Sequence, residues 1–151
     1  MANSSLNQKA SLNNGNLYDE LSARYEHLRG DLKKSECWHC CKISRSNPID
    51  LRLCSIVFAE LTYGAHKSQR PAYNLSLVST FSSPLISLPF DDKAADWYGK
   101  IRVDLEAKGL PIGPNDTMIA AIGLQHDLTV VTHNTSEFAR VSGLKLDDWQ
   151  R

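Results

Sequence analysis

The stretch LRLCSIVFAELTYGAHK, residues 51–67, changes its apolar period part-way along. Leu51 to Ser55 is short and apolar enough for a strand, and it ends at a serine able to cap a helix. From Ile56 to Lys67 the apolar residues Val57, Leu61 and Ala65 recur on one helical face, with Phe58 alongside. A short strand running straight into a helix is the unit from which parallel sheets are built. Within that helix, Glu60 is a carboxylate flanked by Phe58, Ala59 and Leu61.

The same alternation continues downstream. Pro71 to Phe81 reads as a second helix and Pro84 to Leu88 as a short strand. Asp91 or Asp92 caps a long helix to about Lys108, with Ala95, Tyr98, Ile101 and Leu105 as its apolar stripe. Gly109 suits the position just past that helix. Pro111-Ile112-Gly113-Pro114 is a rigid loop, after which Asn115 or Asp116 opens a helix to about His126. Leu128 to Val131 reads as a strand, Asn134 to Arg140 as a turn into a short helix, and Leu144 to Leu146 as a last small strand. Short strands alternating with helices imply parallel pairing in an α/β sandwich.

Upstream of Pro48 the pattern fails. Met1 to Asn16 is rich in Asn and Ser and reads as disordered. Leu17, Leu21, Tyr25, Leu28 and Leu32 share a helical face, so residues 17–34 are predicted to form a helix. Residues 35–47 have no clear period. The expected organisation is an atypical segment over 1–48 and a folded domain over 49–151. Cys37, Cys40 and Cys41 include a CxxC spacing, but no second Cys/His pair follows at zinc-ligand spacing.

The chain has 151 residues and a formal net charge of zero, with no apolar run long enough to span a bilayer. The first residues lack the apolar core of a secretory signal, so a cytoplasmic protein with reduced thiols is expected. Neutral charge excludes a protein that holds nucleic acid by overall basicity alone; RNA binding would need a local basic patch, a metal, or both. Lys67, Arg70, Lys100, Arg102 and Lys108 are the candidates for such a patch, and solvated helix faces are the preferred reading of them.

In parallel α/β folds, working residues lie at the C-terminal ends of strands and the starts of the following helices. Glu60, Asp116 and Asn134 fall there, with Thr132 beside Asn134. Glu137 is a weaker candidate, an ordinary first-turn carboxylate. Oxygen ligands of this kind suit Mg²⁺ or Mn²⁺ and metal-assisted phosphodiester hydrolysis. Each residue also has a plainer reading: Glu60 as a solvated helix residue, Asp116 as an N-cap, Asn134 as a turn residue.

Those positions lie in stretches that resemble one family. Residues 54–65, with their A-E-L-x-Y-G core, resemble the second acidic motif of VapC-type PIN-domain ribonuclease toxins. Leu88-Pro89-Phe90-Asp91 resembles their entry to the long helix, and residues 111–121 their third acidic motif. Residues 131–138 are similar to their T-x-N-x-x-E-F closing motif, and Gly143-Leu144 and Asp148-Trp149 to their ending. The resemblance implies a three-layer α/β/α sandwich and a Mg²⁺-dependent endoribonuclease, with Mn²⁺ as a substitute ion. It implies that Glu60, Asp116 and Asn134 hold the metal with Thr132 in support. It also implies RNA as substrate, a small cognate antitoxin as partner, and a homodimer.

The departure is at the front. Members of the family begin with an apolar strand ending in D-T-N, whose aspartate is a principal metal ligand. No D-T-N occurs here, and Asp19 is the nearest stand-in. A missing central strand would leave a gap in the sheet, and a missing aspartate would weaken metal affinity. Two alternatives to an active nuclease therefore stay open: a catalytically degenerate PIN domain that binds only a partner, and a metal-independent α/β binding module.

Overall fold

The computed structural model describes residues 9–11 and 50–149. Five strands form one fully parallel sheet in the order β3-β2-β1-β4-β5. They are β1 (Lys9–Ser11), β2 (Leu51–Cys54), β3 (Ile86–Leu88), β4 (Thr129–Val131) and β5 (Lys145–Asp147). The helices are α1 (Ser55–Lys67), α2 (Pro71–Ser82), α3 (Asp92–Ala107), α4 (Pro114–Gln125) and the single turn α5 (Thr135–Phe138). The parallel α/β arrangement expected from the alternation is the one found.

The expected gap at the sheet centre is not there. β1 fills it, pairing Lys9 with both Leu51 and Thr129, and Ser11 with Val131. The reading of residues 1–16 as disordered is therefore corrected at Lys9–Ser11. Three residues are too few to show a period of two, and Lys and Ser disguise them further. The strand is defined by backbone pairing on both sides rather than by its own apolar pattern. The helix predicted over 17–34 and the CxxC at 37–40 lie outside the described residues, as does Asp19.

Val57, Leu61 and Ala65 of α1 are buried as their spacing demands, and they pack with Leu53, Ile101, Leu105, Ile119, Ile122, Val130 and Phe138 in the main core. Val131 instead joins Leu51 and Trp149 in a smaller cluster, so consecutive residues of β4 serve two different apolar layers. On α3 the buried residues are Ala94, Ile101 and Leu105, with Tyr98 half-buried and Ala95 exposed. The stripe runs through 94, 98, 101 and 105, a 4-3-4 spacing that Ala95 does not fit.

Two caps differ from each other. Asp91 caps α3, accepting from the Ala94 backbone N–H at 3.0 Å. That bond and the Gln125 side-chain amide hold its carboxyl below the ordinary aspartate value. Ser55 does not cap α1; the helix follows Cys54 with no side-chain cap. Its hydroxyl instead accepts from the Phe90 N–H at 3.2 Å, tying the start of α1 to the segment entering α3. Cys54 itself is buried, which pushes its thiol up to about 11, so it stays protonated and packs as a small apolar side chain.

Gly109 takes φ 65° just after α3, as expected of a helix-terminating glycine. Gly123 is required for another reason. A Cβ there would lie 2.8 Å from Val130 Cγ2 and 3.1 Å from Leu144 Cδ1, because α4 sits directly on β4. Val130 is β-branched and fully buried, so it has little room to give. Gly123→Ala should therefore destabilise the fold by about 1–3 kcal/mol despite alanine's better helix propensity. Denaturant unfolding would check this as a lower midpoint at an unchanged slope.

Candidate active site

Glu60, Asp116 and Asn134 each follow the C-terminal end of a strand or open the next helix. Glu60 lies on the second turn of α1, after β2. Asn134 follows β4 and precedes α5. Asp116 is the third residue of α4, whose first residue is Pro114 and whose cap is Gly113. Proline at that position has no N–H to leave unsatisfied, and its fixed φ sets the helix start. Asp116 is thereby held in the first turn, where the helix dipole favours an anion.

Asp116 is only 7% exposed and Thr132 only 1%, both unusual for polar side chains unless they are hydrogen-bonded. The Asn134 amide donates to Asp116 Oδ2 at 3.4 Å. The Asn134 backbone N–H donates to Thr132 Oγ1 at 3.1 Å, so the buried threonine fixes the turn that carries the amide. Glu60, half-buried, accepts from the Asn115 side-chain amide at 2.7 Å. The structure thus joins Asp116, Asn134 and Thr132 directly, and links Glu60 to the same first turn of α4 through Asn115. Glu137 stays a first-turn residue of α5, its N–H donating to the Asn134 carbonyl. Asn115 was expected only as a possible helix opener. Its contact with Glu60 spans 55 residues of sequence, and no local pattern announces it.

β1 lies between β2 and β4, so its C-terminal end falls between the elements that carry Glu60 and Asn134. After Ser11 the chain reads Leu12-Asn13-Asn14, and no carboxylate occurs anywhere before Asp19. Among the described residues, no three of His, Cys, Asp and Glu gather closely enough to hold a metal ion.

The donors present fit Mg²⁺ in kind. Asp116 and Glu60 offer carboxylate oxygens, Thr132 a hydroxyl, and Asn134 a side-chain carbonyl once its amide turns over. Among the described residues they bring the charge of two carboxylates beside a neutral amide. Of the five candidate basic residues, three carry their own counter-ion on α3: Lys100 with Asp96 at 2.6 Å, Arg102 with Glu106 at 2.7 Å, and Lys108 with Asp104. Lys67 sits over the Tyr63 ring, 5.7 Å from its centre. Solvated helix faces describe the α3 cations better than an RNA-binding patch does.

Residues 40–144 match the PIN domain family. This chain belongs to it. Among relatives of this PIN domain, the tRNA(fMet)-specific endonuclease VapC of Salmonella typhimurium is 46% identical over 100 residues, covering 65% of this chain and 76% of that protein. Its Shigella flexneri counterpart is 45% identical over 95 residues, 63% of this chain and 72% of that one. Ribonuclease VapC2 of Rickettsia felis is 39% identical over 109 residues, 72% and 80% of the two chains. The fold is similar to that of the DNA-bound VapBC structure from Salmonella typhimurium, with TM-score 0.73 and 36% identity over 93% of this chain and 98% of that one. VapBC-1 of nontypeable Haemophilus influenzae gives TM-score 0.74 and 25% identity over 94% and 99%. The resemblance read from the motifs is therefore a family relationship, and the chain is a PIN domain of the VapC ribonuclease type.

Proposed function

We propose that this PIN domain is a Mg²⁺-dependent endoribonuclease toxin of a type II toxin–antitoxin pair, working from a metal site built on Asp116 and Glu60. The observation that carries this reading is the meeting of Asp116, Asn134 and Thr132 beside β4, with Glu60 tied to the same turn of α4. Asp116 and Glu60 would hold the ion, with Mn²⁺ as a substitute. The chemistry supplied by a bound divalent ion is neutralisation of phosphoryl charge and a lower pKa for a coordinated water. Asp116 brings a fixed charge to a dry position, where it acts more strongly than it would in water. Asn134 orients that carboxylate or a water molecule, and Thr132 keeps Asn134 in place.

The substrate class is RNA, and tRNA(fMet) is the first to try, because two relatives are named for cutting it. The partner is a small cognate antitoxin, since solved neighbours are VapBC complexes. A homodimer belongs to the same reading. One observation favours a second reading, the catalytically degenerate PIN domain: the central strand β1 is followed by no carboxylate before Asp19. Incubating purified protein with tRNA(fMet) in Mg²⁺, and separately in EDTA, separates the two. Discrete cleavage that needs the metal supports the nuclease. Intact RNA, from a folded protein that still binds its antitoxin, supports the degenerate domain.

A further inference from the structure

Asn115 and Asp116 are consecutive residues in the first turn of α4, so their side chains leave the helix about 100° apart. Asp116 turns to Asn134, while Asn115 reaches across to α1 and donates to Glu60 Oε1 at 2.7 Å. The donor belongs to a short side chain on a turn already fixed by Gly113, Pro114 and the Thr117 hydroxyl, which donates back to the Gly113 carbonyl at 2.9 Å. The acceptor belongs to a long, half-buried side chain with three rotatable bonds. The rigid partner therefore orients the flexible one. Such a contact also sets where the Glu60 carboxylate stands relative to Asp116.

We infer that Asn115 is a positioning residue that holds Glu60 in register with Asp116 for divalent-cation binding. The inference rests on the metal-dependent reading above. Among the described residues the site has two carboxylates, Asp116 and Glu60, so loss of order in one of them removes a large share of that charge. Residues that orient metal ligands commonly change affinity by about tenfold or more when removed.

The test is a double-mutant cycle on Mn²⁺ affinity, read by electron paramagnetic resonance in the absence of RNA. The four proteins are wild type, Asn115→Ala, Glu60→Ala and the double variant. Asn115→Leu, which keeps the branched shape but not the donor, replaces Asn115→Ala if that variant does not fold. Asn115→Ala is expected to weaken Mn²⁺ binding about tenfold. It should have no further effect once Glu60 is gone. Unchanged Mn²⁺ affinity in Asn115→Ala would overturn the positioning role alone. So would an equal loss in the Glu60→Ala background, because Asn115 would then act through something else. No Mn²⁺ binding by folded wild type would remove the metal-dependent reading and this role with it.

Discussion

Asp116→Ala is expected to lower metal-dependent RNA cleavage by roughly a thousandfold, or about 4 kcal/mol in the barrier. The variant removes a carboxylate that is nearly sealed from water, where Glu60 is half-buried. Asn134 would also lose the acceptor that fixes its amide. The metal-free variant is expected to melt close to the wild-type temperature, because the cost of burying the carboxylate is set against its hydrogen bond from Asn134 and its place in the first turn of α4. Single-turnover cleavage and thermal melts of the same preparations measure both quantities. A fall in activity accompanied by a large fall in melting temperature would assign Asp116 a structural role instead. Glu60→Ala should reduce cleavage less, because Glu60 is half-buried and reaches the site through Asn115.

Phe138→Ala is expected to be the more damaging change to the fold. Phe138 is 1% exposed and closes the main core from the last position of α5. Removing a buried phenyl ring costs about 3–5 kcal/mol, a large share of the roughly 5–15 kcal/mol that holds a domain together. For a chain of this size the melting temperature should fall by about 10 °C. The same residue is joined to the site, since the Phe138 and Glu137 backbone N–H groups both donate to the Asn134 carbonyl at 3.3 Å. Activity well below the melting temperature should therefore fall several-fold as Asn134 loosens. Activity unchanged per folded molecule would separate the core from the site.

Much of this architecture was legible in the sequence because each helix announces itself by spacing. Val57, Leu61 and Ala65 defined α1, and Asp91 and Gly109 bracketed α3; α4 was expected to open at Asn115 or Asp116 but begins at Pro114, read as part of the loop before it. Strand ends shifted by only a residue or two, where a period of two has few residues to act on. β1 was illegible for a physical reason: a three-residue central strand takes its stability from two neighbours distant in sequence. Ser55 showed the same limit. Its position suggested a cap, but a long-range acceptor role towards Phe90 prevailed.

The site divided along the same line. Asp116, Asn134 and Thr132 could be named from local context, since each follows a recognisable turn or strand end. The Asn115–Glu60 contact could not, because it depends on how two helices pack. Glu60 and Asp116 stood in recognisable local motifs, whereas the place of β1 between the elements that carry Glu60 and Asn134 is a matter of sheet order.

The most direct measurement is the melting temperature of the purified protein during titration with Mg²⁺ and Mn²⁺, with Asp116→Ala alongside. An ion that binds only the folded state adds about 2.7 kcal/mol at a hundredfold excess over its Kd, which for this chain length corresponds to a rise of roughly 5–10 °C. The expected result is a saturable rise in wild type that is lost in Asp116→Ala. No rise in a cooperatively melting wild-type protein, or an equal rise in both proteins, would contradict a functional metal site at Asp116 and Glu60.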